Sequence, residues 1–308
     1  MYSVFSNPVV RRLVCSCLVV INCGVAYAQE RTEEHVVVSA ESEEAEHDQF
    51  TEMGEYAQPA WAERSRFSST TSVYVLSPYE MFVGNIWEAI FRRRGKTLHD
   101  LTQEIDFGLL HRFELGIEND LGLVGSDADE TSATVEARYA FANWNAIPLN
   151  PAISAEYVFG VGTSVKNATS DRDLRRQANA VVVRLLLGQS LAEHFGYGLN
   201  IGLQQDVSRD SGREFEISQS VVYGAMKGKL EFGGEMRSVH NTSQRNSDDT
   251  DELVTGPSIG WKPTRQFRIS VAPLFGCTHE SPRVATFVLV SYEFGGAEAV
   301  VAPISGNH

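Results

Sequence analysis

From Met81 onward apolar and polar residues alternate in stretches of about nine to thirteen positions, divided by short runs of turn-forming and charged residues. A repeat of two is the signature of β-strands whose two faces meet different surroundings. The run from 112 to 118 is the clearest: Phe113, Leu115 and Ile117 share one face, while Arg112, Glu114 and Glu118 share the other. Val135, Ala137, Tyr139 and Phe141 alternate with Glu136 and Arg138; Phe195, Tyr197, Leu199, Ile201 and Leu203 alternate with Gly196, Gly198, Asn200, Gly202 and Gln204; and Phe267, Ile269 and Val271 alternate with Arg268 and Ser270.

Twelve such segments are expected, at 81–93, 97–108, 112–122, 131–141, 152–163, 179–189, 195–206, 214–225, 229–239, 252–261, 267–276 and 283–294. An even number suits a barrel whose two ends return to the same side of a membrane. Connection lengths alternate in the same sense. Those around 109–111, 226–228 and 262–266 are short; those after the third, fifth and ninth segments are long and polar, with Asp127, Asp129, Lys166, Asp171, Arg175, Asn246, Asp248 and Asp251. Two fit the alternation poorly, the short one at 94–96 and the long one at 142–151. The expected fold is an all-β, transmembrane, antiparallel up-and-down β-barrel.

A soluble β-sandwich also has alternating strands, with its apolar face as the core. Against it, Trp144, Phe159, Phe195, Tyr223, Trp261, Phe275, Tyr292 and Phe294 fall at or near strand ends, as the aromatic girdles of a bilayer-spanning barrel do. The last strand ends Ser291-Tyr292-Glu293-Phe294, like the terminal aromatic signal read by the barrel-assembly machinery, although residues 295–308 follow as a C-terminal tail.

The first 28 residues read as a secretory signal: Arg11 and Arg12, an apolar core from Leu13 to Val25, and Ala26-Tyr27-Ala28 as the cleavage site. Cys23 offers an alternative, lipoprotein-type site, but Asn22 is a poor neighbour for it. Cys15, Cys17 and Cys23 all lie in this leader, so the exported chain keeps Cys277 alone and forms no internal disulfide. The chain carries 26 basic and 40 acidic residues, a formal charge of −14 that deepens to about −16 once Arg11 and Arg12 are removed. Such a balance argues against a nucleic-acid partner. Ten acidic residues and one arginine between Gln29 and Ala62 make residues 29–70 an acidic, disordered periplasmic tail. Its His35 and His47 are too few to signal a metal site, and no cofactor is expected.

Four stretches resemble a known family: Gly108-Leu109-Leu110-His111-Arg112-Phe113-Glu114-Leu115, Ile147-Pro148-Leu149-Asn150-Pro151, Gly256-Pro257-Ser258-Ile259-Gly260-Trp261-Lys262-Pro263, and Pro273-Leu274-Phe275-Gly276 with Ser281-Pro282-Arg283-Val284. They are similar to the transporter-like outer-membrane barrels of the putative phenol-degradation MetA-pathway type, over residues 75–294 or so. The resemblance implies a fold, no established substrate and no catalytic residues. Pro257 and Pro273 sit inside expected strands, where each removes a ladder hydrogen bond, so bulges or strand ends are expected there.

In a barrel spanning 71–294 the polar face points inward and places Glu104, Asp106, Arg112, Glu114, Glu118, Glu136, Arg138, Glu156, Arg184, Glu231, Glu235, Arg237 and Arg268 in the lumen as pore-lining candidates. Buried unpaired, these charges are prohibitively costly, so they either knit into a salt-bridge lattice that plugs the barrel or line a watery path. Twelve strands lie between the eight that leave room for side chains and the sixteen that leave a channel. The expected function is a narrow channel or transporter for small solutes across the outer membrane, with at most a mild preference for cations or polar neutral solutes because carboxylates outnumber the arginines. Outer-membrane lipid, lipopolysaccharide and the assembly machinery are its expected partners.

The alternatives are a plugged structural barrel and an outer-membrane lipid hydrolase of the Ser-His type. For the hydrolase the histidines are His99, His111, His194, His240 and His279. His111 and His194 fall in periplasmic turns, the wrong end for outer-leaflet lipid, which leaves pairs such as His279 with Ser281. No serine sits in a nucleophile motif, and there is no phosphate-binding Gly-rich loop, Cys-pair metal spacing or His-Glu-x-x-His. The expectation is therefore no enzyme activity.

Overall fold

The computed structural model describes residues 52–62, 67, 69–125, 127–162, 178–207, 212–242 and 250–295. The leader 1–28, most of the acidic tail and residues 296–308 lie outside the described residues. No described helix is long and apolar enough to cross a membrane; among the described residues only the strands of a closed sheet could do so.

A two-residue hairpin comes first, β1 (Glu52–Met53) against β2 (Gln58–Pro59). Twelve longer strands follow: β3 (Met81–Phe91), β4 (Leu98–Leu109), β5 (Phe113–Val124), β6 (Asp127–Ala140), β7 (Ala152–Gly160), β8 (Ala180–Ala192), β9 (Phe195–Asp206), β10 (Arg213–Ala225), β11 (Leu230–Thr242), β12 (Thr250–Trp261), β13 (Phe267–Gly276) and β14 (Val284–Phe294). Each pairs antiparallel with its sequence neighbours, and β14 pairs with β3 from Val284↔Phe91 to Phe294↔Met81, which closes the ring. Closure leaves no strand edge in hydrocarbon, where an unpaired N–H or C=O costs several kcal/mol, roughly.

The alternation seen in the sequence becomes a wall with two faces. Leu115, Ile117, Val135, Phe159, Leu203, Phe215 and Phe232 are exposed on the outside, while Glu114, Glu136, Arg138, Asn200 and Ser220 are buried on the inside. The chain enters β3 and leaves β14 at one end, together with the connections 110–112, 193–194, 226–229 and 262–266. By the rule that periplasmic turns are short, this is the periplasmic end. At Leu110–Arg112 and Met226–Gly228 the turn is a single 3₁₀ turn, with His111, Arg112, Met226 and Lys227 at positive φ.

Four expectations are corrected. The loop after β5 is not long: β5 and β6 stay paired as far as Val124↔Asp127, so Asp127 and Asp129 belong to a hairpin strand. Arg112 opens no strand, because the turn from Leu110 reaches through it. Trp144 is buried and is no part of an outer girdle. Pro257 and Pro273 produce neither a bulge nor a strand end. Pairing runs Val254↔Gly276 and Thr255↔Phe275, stops, and resumes at Ile259↔Val271 in unchanged register, which sets the two prolines opposite one another in a gap of the ladder. Neither has an N–H to donate, while the ladders to β11 and β14 run unbroken past both.

Ring closure is testable by cross-linking. Ala89 and Thr286 are register partners across the β3–β14 seam. In a Cys277→Ser background, Ala89→Cys with Thr286→Cys should form an intramolecular disulfide that alters the mobility of the boiled chain until it is reduced; two thiols that stay free would refute the seam.

Candidate functional site

The lumen is the candidate site, and part of it is filled by the chain itself. The described residues from Tyr56 to Leu76, ahead of the first barrel strand, lie inside the ring, with Tyr56, Gln58, Trp61, Phe67, Val73, Tyr74, Val75 and Leu76 buried. The sequence reading placed much of this stretch in a solvated tail, but its apolar residues pack into a core. Trp61 meets Trp144 edge-on with ring centres 5.6 Å apart, and Tyr74 meets Trp144 at 5.4 Å. Trp144 comes from the 141–151 connection. That connection is long for a periplasmic turn because it tucks Trp144 against the segment, donating the Trp144 N–H to Tyr56 O, while 145–149 stay exposed.

The wall is shaped to receive this segment. A β-carbon on Gly188 would lie 2.5 Å from Val73, one on Gly196 2.8 Å from the Trp61 ring, and one on Gly198 2.6 Å from Phe67. Real β-carbons do not approach so closely, so the glycines on the inward face of β8 and β9 form the groove in which the segment lies.

Polar atoms are matched as well. Arg138 on β6 is fully buried; its Nη1 donates to Ser72 O at 3.2 Å and Tyr74 O at 3.3 Å, and its Nη2 donates to Thr71 Oγ1 at 3.1 Å. The same guanidinium pairs with Glu136 at 2.8 Å and approaches Glu114 at 3.7 Å, while Glu114 accepts the Leu76 N–H at 2.6 Å. Thus one arginine ties two wall carboxylates to the backbone of the luminal segment. Glu235 accepts from Ser69 N and Oγ, Asn200 donates to Thr71 O, and Thr70 Oγ1 accepts from Ser220. Tyr74 Oη donates to Ala142 O. Burial holds its phenol well above the usual range, at about 12, and raises that of Tyr56 too.

The remaining candidates fall as follows. Glu104, Asp106, Glu118, Glu156, Arg184, Glu231, Arg237 and Arg268 lie on inward-facing positions of their strands. Arg184 pairs with Glu156, Arg268 with Glu231, and Arg237 with Glu216 at 3.0 Å. Arg112 is at the periplasmic rim, its guanidinium on Ala140 O at 3.1 Å and Asn143 Oδ1 at 3.1 Å, and lines no lumen. Glu104, Asp106 and Glu136 bring carboxylate oxygens within 4.8 Å of one another, but Glu136 is committed to Arg138.

Sequence reasoning missed the luminal segment and several inward acids of the outer half: Glu88, Asp100, Asp120, Glu214, Glu216 and Glu252. Their signal was the strand parity already used elsewhere. For the segment it was the apolar run Val73-Tyr74-Val75-Leu76 before the first strand, together with glycines at three inward positions of two adjacent strands. The hydrolase pair fails on geometry. Ser281 is buried, with Oγ donating to Leu253 O at 2.9 Å and accepting from Leu253 N at 2.8 Å, and so staples a loop.

Replacing Arg138 by Ala strands two buried carboxylates and should cost roughly 3–5 kcal/mol of unfolding free energy, with Arg138→Lys recovering only part because the three donors of one ammonium cannot reach all five partners. Urea titration in detergent measures both. Tyr74 stays neutral in the fold up to about pH 12, whereas the unfolded phenol ionises near 10. Its contribution is complete below pH 10 and is lost as pH climbs towards 12. Tyr74→Phe should flatten that part of the stability–pH curve.

No protein-family model matches the chain, so none supports the MetA-pathway grouping, and no characterised protein matches it by sequence. Solved structures do. An outer-membrane channel from Pseudomonas putida F1 matches with TM-score 0.50 and 9% identity, covering 72% of this chain and 97% of that one. The KdgM porin gives 0.44 and 11% over 70% and 98%, and the NanC porin 0.46 and 10% over 70% and 99%. At these identities the likeness is one of fold: this chain has the fold of an outer-membrane β-barrel.

Proposed function

We propose that the protein is a narrow outer-membrane channel for small polar solutes with a preference for cations, constricted at its periplasmic half by the described residues from Tyr56 to Leu76. The observation that carries this reading is the lining of the outer half. Glu88, Asp100, Glu118, Asp120, Glu214, Glu216 and Glu252 face inward there, against Arg184 and Arg237. A carboxylate-rich lining of a water-filled path with low-dielectric walls attracts cations and repels anions. Export through a cleaved signal at 1–28 and insertion by the barrel-assembly machinery complete the proposal, as does the resemblance to transporter-like barrels.

The packed luminal segment favours a second reading, a closed structural barrel that conducts nothing. The two separate on one experiment. In planar bilayers the channel reading expects small conductance steps with a reversal potential on the cation side, and larger steps for the double variant Trp61→Ala, Arg138→Gln, in which the segment is loosened. Silence from the intact protein and the variant alike, from samples that keep the heat-modifiable mobility of a folded barrel, would establish the closed barrel. Phospholipid hydrolysis abolished by His279→Ala would instead restore the hydrolase.

A further inference from the structure

On β3, β4 and β5 the outward positions are marked by exposed apolar side chains: Trp87 and Phe91, Phe107 and Leu109, Leu115 and Ile117. Asn85, Gln103 and Asn119 share that parity, and each is partly exposed. Their neighbours Thr102 and Asp120 face the lumen, where Thr102 Oγ1 donates to Asp120 Oδ1 at 2.5 Å. The three amides form a row across the wall, because Asn85 is the register partner of Gln103, and Gln103 that of Asn119. Val83 and Trp87 flank Asn85 on the outward side of its strand, Leu101 and Ile105 flank Gln103, and Leu115 and Ile117 lead up to Asn119. The row therefore lies within the apolar band and not at a rim.

An amide in hydrocarbon is costly unless it is hydrogen-bonded. Gln103 Nε2 donates to Asn85 Oδ1 at 3.3 Å, along the row. Asn119, at its end, forms no side-chain hydrogen bond among the described residues. Gln219 on β10 shows the contrast: its Oε1 accepts from Tyr197 Oη at 3.2 Å and its Nε2 reaches Met236 Sδ at 3.5 Å, so both flanking strands engage it. Acyl chains offer Asn119 nothing to bond. Another protein surface does, and an amide, being donor and acceptor at once, is matched by a copy of itself.

Beyond the row the wall is shallow. Ala133 on β6 is the register partner of Asn119, and Ala137 is that of Ala155 on β7. Small outward side chains let two backbones approach closely in a bilayer. A two-fold axis along the membrane normal, passing beside Asn119, sets β3 and β4 of one copy over β6 and β7 of the other and brings the two Asn119 amides together. β3 to β7 are five adjacent strands. At about 4.8 Å between strands and about 25 Å of apolar height, their face covers up to roughly 600 Å², or roughly 1,200 Å² for two copies, which is within the range of specific interfaces. We infer that the outward face of β3 to β7 is the interface of a homodimer in the membrane, centred on Asn119. The dimer needs the barrel in a bilayer and is independent of whether the lumen conducts.

The test uses the exported protein in a Cys277→Ser background, in vesicles at a fixed protein-to-lipid ratio. One cysteine is introduced on the outward face: Ile117→Cys, beside Asn119 on β5, or Phe232→Cys on β11, six strands away in either direction round the ring. A short bismaleimide should couple the Ile117→Cys chains into a species of twice the chain mass and leave the Phe232→Cys chains single. Adding Asn85→Leu, Gln103→Leu and Asn119→Leu should raise the dissociation constant, read from the coupled fraction on dilution with lipid, by at least about tenfold. Heat-modifiable mobility confirms that each variant is a folded barrel, and Asn119→Leu alone replaces the triple change if the latter does not fold. Equal coupling at both positions, no coupling at position 117, or coupling that survives the leucines unchanged overturns the interface. Coupling of position 117 in isolated outer membranes to a chain of another mass overturns it in favour of a different protein partner.

Discussion

The barrel depends on one constraint: a backbone that crosses hydrocarbon must satisfy every N–H and C=O within the protein. Pairing of β14 with β3 meets it by removing the last two edges. Once the ring is closed, alternation does the rest, since each strand must give lipid one face and the lumen the other. The opposed prolines of β12 and β13 mark how far the constraint can be relaxed. The ladder lapses there over a few residues, yet register is kept on both sides of the gap.

Inside the ring the problem is reversed, because charges and amides must be matched in a confined space. Arg138 resolves the largest concentration of them, serving Glu114, Glu136 and three acceptors of the luminal segment at once. Burying so many polar groups gains little net stability but makes any other arrangement expensive. The segment is thereby specified in position, and the glycines of β8 and β9 specify its shape.

The barrel was legible in the sequence because period two repeats over twelve segments and needs no knowledge of what contacts what. Inward parity was equally legible wherever alternation was clean, as at Glu114 and Arg138. It failed at Arg112, where the chain turns before the strand begins, and at Trp144, whose strand-end position suited a girdle while its indole faces a neighbour distant in sequence. The luminal segment was illegible for a deeper reason. Val73 to Leu76 have no period of their own, and their burial is dictated by a surface made of strands distant in sequence, from Glu114 on β5 to Gly198 on β9. Acidic composition upstream drew the boundary too far along the chain.

The order of the chain has a consequence for assembly. The luminal segment precedes β3, but its contacts are mainly with β6 to β11, synthesised later and lying on other parts of the ring. The segment therefore cannot take its final place until those strands exist, so some of the first described residues of the chain are among the last to acquire their contacts.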